Sequence, residues 1–144
     1  MGSASDEAVV QETVNTLEQL GVDYEVRVMS AHRTPERVQE YATTARDRGI
    51  EVLISAAGGS AALGGVLASW TTIPVIGIPL ASSELKGMDA LLATAQMPPG
   101  IPVACMAVGT WGARNAAFFA AEILGLKYEV IREAYEKYRR GLRD

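Results

Sequence analysis

The fold is indicated by residues 52–70, which read VLISAAGGSAALGGVLASW. The run Val52–Ile54 is short, apolar and rich in branched side chains, which is typical of a strand buried on both faces. Gly58-Gly59-Ser60 ends the strand, and a helix is predicted from about Ala61 to Trp70. A buried strand that leads through a glycine turn into a helix is the βα unit of a parallel sheet.

The same alternation of buried runs and helical periods continues on both sides of this unit. It predicts further strands at Tyr24–Val28, Ile73–Leu80 and Ile101–Val108. Helices are predicted from Ser5 to Gly21, from Thr34-Pro35 to Gly49, and over Leu85–Thr94, Asn115–Leu124 and Tyr128–Arg140. The predicted fold class is therefore α/β, a three-layer, doubly wound parallel sheet of the flavodoxin-like type.

The two ends of the chain need separate treatment. Met1-Gly2-Ser3 resembles the exit from a strand, so we expect a first strand upstream that this sequence lacks, or a partner element in its place. Residues 1–126 are predicted to form the α/β domain. Residues 127–144 are predicted to form a charged helix that packs on a neighbouring subunit through Tyr128, Ile131 and Tyr138.

Composition and charge argue against several classes of protein. The formal net charge of -4, without a basic run, is not typical of proteins that bind nucleic acid or anionic membranes. No apolar stretch approaches the roughly 20 residues that span a bilayer, and Met1–Asp6 does not resemble a signal peptide. The one cysteine, Cys105, lies in an apolar run and is predicted to be a core thiol. We therefore expect a cytoplasmic protein.

Polar and glycine-rich loops are predicted at the carboxyl ends of the strands, where open α/β sheets bind ligands. These loops are Gly2–Asp6, Ser30–Pro35, Ala57–Gly65 and Gln96–Gly100. In the first two, serine hydroxyls, amides at a helix start and an arginine suit a phosphate, and a carboxylate suits sugar hydroxyls. The only histidine, His32, lies in the second loop. We predict a sugar-phosphate pocket around it.

Each of these features also has a structural interpretation. The serines and the carboxylate of the first loop could be a helix N-cap, and the paired glycines a tight turn. Arg33 could be a solvated side chain, and His32 a surface or structural histidine. The placement of all four loops on one rim favours a binding site.

Several short motifs make the prediction more specific. They are GSASD at residues 2–6, SAHRTP at 30–35, QMP at 96–98, GIPV at 100–103 and NAA at 115–117. In order and spacing they resemble the N5-carboxyaminoimidazole ribonucleotide mutase family, which carries out the carboxylation step of purine biosynthesis. The resemblance runs from Met1 to about Lys127.

The resemblance implies a role for each matching residue. His32 would be the catalytic residue, a proton shuttle that serves both halves of a decarboxylation and recarboxylation with CO2 as a bound intermediate. The implied substrate-binding residues are Ser3, Ser5, Asp6, Ser30, Arg33, Gly58, Gly59, Ser60, Ala61, Leu63, Gln96 and Met97. Gln96 and Met97 would close the pocket from a neighbouring subunit. The implied assembly is a homo-octamer, without a metal or other cofactor.

The third loop departs from the family pattern. Ala62 stands where the mutases have a second histidine, and Gly64 stands where they have a proline. The related direct carboxylases, which use CO2 and aminoimidazole ribonucleotide, also lack that histidine and have a serine near Ser60. A mutase, a direct carboxylase and a nucleotide-binding paralogue without catalysis therefore all remain open at this point.

Overall fold

The computed structural model describes residues 1–143, which form a parallel sheet covered by helices on both faces. The strands are β1 (Leu53–Gly58), β2 (Val75–Leu80) and β3 (Ala104–Cys105), paired in the order β1-β2-β3. The helices are α1 (Glu7–Gln19), α2 (Pro35–Thr44), α3 (Ala62–Trp70), α4 (Met88–Ala95), α5 (Thr110–Gly125) and α6 (Glu129–Gly141), and a 3-10 turn, Ala4–Asp6, precedes α1. The predicted doubly wound α/β fold is confirmed.

One face of the sheet is covered by α1 and α5. Three alanines of α5, Ala113, Ala116 and Ala120, are almost fully buried against the β2 side chains Ile76 and Ile78. Because alanine carries a single methyl group, the helix lies close to the sheet and excludes water from it. The alanine-rich composition of the chain is thus explained by close helix–sheet packing.

The other face is covered by α2, α3 and α4. Val38 and Ala42 of α2 are fully buried, and they pack with Leu63 and Leu67 of α3 against Leu53 of β1. Burial of such apolar side chains is the main favourable term in folding, at roughly 25 cal/mol per Å². The two helical layers cover both faces of the sheet, so the ends of its strands are left accessible to a ligand.

The C-terminal helix packs on its own chain. In α6, Tyr135 stacks on Phe118 of α5 with ring centroids 5.4 Å apart, and Tyr138 approaches the same ring at 4.6 Å. Ile131 joins this cluster, and the Tyr128 hydroxyl donates to Glu51. The residues predicted to face a neighbouring subunit therefore have partners within the chain, and the packing of this helix on a neighbouring subunit stays a prediction.

The strand prediction for Tyr24–Val28 is wrong. Residues 23–30 are extended but belong to no ladder, so the described part of the chain has three strands where the sequence predicted four. A strand is defined by its partner, and the segment has no strand beside it with which to exchange a regular row of hydrogen bonds. The last predicted strand, Ile101–Val108, is reduced to Ala104–Cys105, the two residues that pair with β2.

None of the helices within residues 1–143 is long and apolar enough to cross a membrane.

Candidate functional site

A cleft of about 460 Å³ opens at the carboxyl ends of β1 and β2. It is lined by Gly2, Ser3, Ser5, Asp6, Ser30, Ala31, His32, Arg33, Ala57, Gly58, Ser60, Ala61, Ala62, Leu63 and Ser82. The structure thus brings together most of the residues that the sequence singled out. The exceptions are Gly59, Gln96 and Met97.

The first loop is a capped helix start that holds a buried carboxylate. Asp6 is only 7% exposed, and its Oδ2 accepts the amide of Ser3 at 3.1 Å. The Ser5 hydroxyl donates to Ser3 Oγ at 2.9 Å, and the Ser5 amide donates to the same oxygen at 3.3 Å. The N-cap interpretation is therefore correct for Ser3 and Asp6, a capping box. Ser5 is exposed at the cleft.

The second loop carries the histidine and the arginine into the cleft. Ser30 follows the extended segment, and its Oγ accepts from the backbone amide of Arg33 at 3.2 Å and from its Nε at 3.4 Å. Thr34 Oγ1 accepts the amide of Ser30 at 3.0 Å, which closes the turn before Pro35 begins α2. His32 and Arg33 are exposed. The imidazole is therefore on the cleft side and not in the hydrophobic core.

The third loop is a tight turn between β1 and α3. Gly59 has a φ of 59° and Ala61 a φ of 45°, both in the left-handed region, and the amide of Ala61 donates to Gly58 O at 3.0 Å. An alanine in this region costs roughly 1–2 kcal/mol, which the surrounding structure must offset. The turn places the start of α3, which has no side-chain cap, at the cleft. Helix amides and the helix dipole there favour a negatively charged ligand group.

Sequence reasoning missed Ser82. It follows β2, the neighbour of β1, at the same edge of the sheet, and its side chain stands over Gly58. A Cβ on Gly58 would lie 1.7 Å from Ser82 Oγ, so the close approach requires glycine there. The signal available in the sequence was the position of Ser82 just after a buried strand, the same criterion that identified the other loops.

The assignment of Gln96–Gly100 to the same rim is wrong. That loop follows α4 and leads into β3, whereas the loops of the cleft lead out of strands. Gln96 is exposed, and Met97 packs over α3, with its Cε 3.2 Å from a Cβ built on Gly65. Neither residue lines the cleft of its own chain. Closure of a pocket by these residues from a neighbouring subunit stays a prediction.

Cys105 lies outside the cleft, half-buried on β3. Its surroundings raise the pKa of the thiol, because burial penalises the thiolate. A thiol of this kind is a poor nucleophile. The sequence predicted a buried core thiol, whereas Cys105 is only half-buried. Within residues 1–143, no group of three or more histidine, cysteine, aspartate or glutamate side chains is placed to hold a metal ion.

The arrangement just described can be compared with known proteins. The family model described as AIR carboxylase matches residues 1–144. The chain belongs to the AIR carboxylase family. The alignment of the family model over the whole sequence agrees with the resemblance seen in the five short motifs.

The chain is highly similar in sequence to named proteins. The chain is 57% identical over 143 residues to the N5-carboxyaminoimidazole ribonucleotide mutase of Pyrococcus abyssi, an alignment that covers 99% of this chain and 81% of that protein. It is 50% identical over 144 residues to the protein of the same name from Saccharolobus solfataricus, covering 100% and 90% of the two chains. A crystal structure of Treponema denticola PurE superposes with a TM-score of 0.85 at 28% identity, covering 98% of this chain and 87% of that one.

The structure also explains one departure from the mutase motif of this family. Gly64 is buried in the first turn of α3, and a Cβ there would lie 2.7 Å from Ser55 Oγ of β1. This helix therefore approaches the strand more closely than a larger residue would allow. Ala62, the residue in the place of the second histidine, lines the cleft together with His32.

Proposed function

We propose that the protein interconverts N5-carboxyaminoimidazole ribonucleotide and 4-carboxy-5-aminoimidazole ribonucleotide in purine biosynthesis, as an isomerase of the mutase type. The observation that carries the proposal is the single cleft in which the one histidine of the chain, His32, meets both serine loops and a buried carboxylate. The AIR carboxylase family and its mutase relatives supply the chemistry that such a cleft would perform.

The 5′-phosphate is assigned to Ser3, Ser5, Ser30 and Arg33. The guanidinium of Arg33 and the exposed hydroxyl of Ser5 donate to phosphate oxygens, and charge-assisted hydrogen bonds of this kind are strong. For this bond the Ser5 hydroxyl turns away from Ser3 Oγ, to which it donates in the structure. The carboxylate of Asp6 accepts hydrogen bonds only, so it is assigned to the ribose hydroxyls. Its burial and its bond from the Ser3 amide fix its direction.

The aminoimidazole and the migrating carboxylate are assigned to the turn between β1 and α3. This end of the cleft is lined by Gly58, Ser60, Ala61 and Leu63. Gly59 does not line the cleft, and its assigned part is the left-handed backbone conformation that shapes the turn. Backbone amides at the start of α3 stabilise carboxylate charge without a metal ion. No cofactor is required for the reaction.

The reaction is assigned to His32 as follows. The carbamate C–N bond breaks, its electrons remain on the exocyclic nitrogen, and the imidazolium of His32 protonates that nitrogen as CO2 leaves. The ring carbon then attacks CO2 to form a C–C bond, and the neutral imidazole removes the ring proton. An imidazole suits both steps because it gives and takes a proton near neutral pH. Holding CO2 in the cleft makes the second step intramolecular.

A direct carboxylase is the second candidate function, favoured by one observation. Ala62 places a methyl group on the cleft wall where the mutase pattern has an imidazole. With one imidazole in place of two, the cleft has one fewer group to transfer protons to and from the carbamate. The direct carboxylase would add CO2 to aminoimidazole ribonucleotide with the same phosphate and ribose contacts. A paralogue that binds the nucleotide without catalysis is the non-enzyme alternative.

An assay with two alternative substrates distinguishes the mutase, the direct carboxylase and the binding protein. Purified protein is given either the carbamate, or bicarbonate with aminoimidazole ribonucleotide, and the 4-carboxy product is measured. A mutase consumes the carbamate, a direct carboxylase consumes only the second mixture, and a binding protein consumes neither. Turnover of the second mixture alone would contradict our assignment.

A substitution of the histidine tests its role. His32→Asn is expected to bind the ribonucleotide as before and to lower kcat by about 100-fold or more, the usual contribution of a general acid–base residue. Unchanged kcat would refute the role of His32.

A matched pair of serine substitutions tests the phosphate cradle. Ser5→Ala is expected to raise KM by roughly 10-fold or more, because a hydrogen bond to a charged group contributes about 1.5–3 kcal/mol. Ser69→Ala, on α3 with its hydroxyl bonded to Val66 O, is the control and should leave KM unchanged. Equal effects in the two variants would contradict the cradle.

The family resemblance also underlies three proposals about the setting of the enzyme. We assign the protein to a homo-octamer in the cytoplasm, with Gln96 and Met97 of one subunit beside the cleft of the next. Mass measurement in solution tests the assembly. Replacement of Met97 tests the shared site, because it should change KM only in the assembled form.

A further inference from the structure

The cleft contains one polar side chain to which the proposed function gives no role. Ser82 follows the end of β2, and it lines the cleft together with the three loops described above. Ser82 is exposed, and its hydroxyl makes no hydrogen bond to another residue within residues 1–143. A serine hydroxyl can donate one hydrogen bond, so this one is available to a ligand in the cleft.

Ser82 lies at the third loop, the turn between β1 and α3. The strands β1 and β2 are paired up to Gly58 and Leu80, so the chain leaves both strands at the same edge of the sheet. Ser82 Oγ lies 1.7 Å from the position that a Cβ on Gly58 would take. The hydroxyl therefore occupies the space in which a side chain of residue 58 would begin.

The loop that carries Ser82 is held in place by contacts within the chain. The hydroxyl of Ser83 donates to Asp89 Oδ2 of α4 at 2.5 Å and accepts the amide of Leu85 at 3.2 Å. Lys86 has a φ of 52°, a left-handed conformation that is uncommon for residues other than glycine. Such conformations persist where the surrounding structure enforces them, often at ligand-binding sites. A loop fixed in this way loses little entropy when Ser82 binds a ligand.

A carboxylate is the ligand group that suits this hydroxyl best. The phosphate is assigned to the first two loops, whereas Ser82 stands over Gly58 in the third loop. At that loop α3 begins without a side-chain cap, so its first amides are donors to a negatively charged group. The hydroxyl of Ser82 adds a donor at the same end of the cleft, and it can rotate toward a charged acceptor.

We propose that Ser82 is a substrate-binding residue whose hydroxyl donates a hydrogen bond to the migrating carboxylate. This inference rests on the proposed function, because that function assigns the carboxylate to the third loop. Both carboxylated ribonucleotides have the acceptor for this bond, and aminoimidazole ribonucleotide lacks it. Ser82 therefore contributes to the preference of the cleft for the carboxylated forms.

Binding of two ribonucleotides by Ser82→Ala tests this role. Calorimetric titrations with 4-carboxy-5-aminoimidazole ribonucleotide and with aminoimidazole ribonucleotide give two dissociation constants for each variant. All titrations use the His32→Asn background, so that the ligand is not converted. Ser82→Ala should weaken binding of the 4-carboxy compound about 10-fold or more, as expected for loss of a hydrogen bond to a charged group, and change binding of the other by less than about twofold. The control Ser69→Ala, whose hydroxyl is bonded to Val66 O, should change neither.

The outcomes separate this inference from the proposed function. If the background protein with Ser82 intact binds neither ribonucleotide, the proposed function fails and this inference fails with it. If it binds both, and Ser82→Ala leaves the ratio of the two dissociation constants unchanged, only this inference is refuted. Equal weakening of both ligands would assign the hydroxyl to a group that they share. Ser82→Ala keeps the Cβ of residue 82, so its Tm should be unchanged, and a selective loss of binding then reports the missing hydroxyl.

Discussion

Gly58→Ala is the substitution that tests most directly how the cleft is built. Gly58 ends β1 at the cleft, and an added Cβ would lie 1.7 Å from Ser82 Oγ and 2.8 Å from Ser82 Cβ. The Leu80 carbonyl oxygen, at 3.2 Å, is the third neighbour. A change of rotamer moves the hydroxyl of Ser82 but leaves its Cβ in place. The loop after β2 therefore has to shift by several tenths of an ångström or more.

The expected cost can be estimated from these distances. Overpacking of this kind costs about 1–3 kcal/mol, and replacement of a strand glycine by alanine returns roughly 0.5–1 kcal/mol. A net loss of about 1–2 kcal/mol lowers Tm by roughly 3–7 °C for a chain of this size. The shift of Ser82 also narrows the cleft, so KM for the ribonucleotide should rise.

A double-mutant cycle isolates the contact. Ser82→Gly removes both of the close atoms and leaves the Leu80 carbonyl as the nearest neighbour. Gly58→Ala should therefore cost much less in the Ser82→Gly background, with a coupling of about 1 kcal/mol measured by chemical denaturation. If Gly58→Ala is equally destabilising in both backgrounds, the close approach is not the reason for glycine at this position.

Three further predictions concern stability and specificity. Gly112→Ala places a Cβ 1.7 Å from the carbonyl oxygen of Ala107 and should lower Tm by several degrees. The control, Gly141→Ala, places a Cβ with nothing within 4 Å and should leave Tm unchanged or raise it. Similar changes of Tm in the two variants would contradict the role of close packing at Gly112. Ala62→His restores the second imidazole of the mutase pattern on the cleft wall and should raise kcat with the carbamate; a lower kcat in the steady-state assay would argue for the direct carboxylase. The hydrogen bond from the Lys127 ammonium lowers the pKa of the Glu51 carboxyl. The pair therefore stabilises the fold above pH 4.5, the ordinary pKa of this group, and the stabilisation is lost as pH falls through the lowered pKa. Below pH 4.5, Tm should therefore fall less steeply with pH in Lys127→Met, and an unchanged slope would count against the pair.

The elements of the fold were predictable where the pattern is local. Within residues 1–143, the helices begin and end within a few residues of the predicted bounds, with two exceptions. α2 ends at Thr44 and not near Gly49, and α5 begins at Thr110 and not at Asn115. Helix starts depend on residues such as Thr34 and Pro35 that act within one turn. The absence of a strand at residues 24–28 could not be predicted in this way. Alternation of side chains indicates an extended chain, but it does not show whether that chain has a hydrogen-bond partner.

The candidate site was predictable to the extent that it consists of short motifs. The loops of residues 2–6, 30–35 and 57–63 were recognised from their residue types and order, and the structure brings them to one cleft. Ser82 was missed because it lies in none of the recognised motifs, although its position just after β2 met the criterion that identified the other loops. Gln96–Gly100 was misplaced because the loop was counted as following a strand when it follows α4.

The sequence by itself determined the alternation of strands and helices, the family, and the chemical groups that the cleft can use, since all three depend on residue type and spacing along the chain. Only the tertiary structure decided which loops share the rim and why Gly58 has no side chain beneath Ser82. The physical reason is that strand order and close packing join residues far apart in the chain. Gly2 and Ala56 are an example, because their hydrogen bond spans more than fifty positions and no local pattern encodes it.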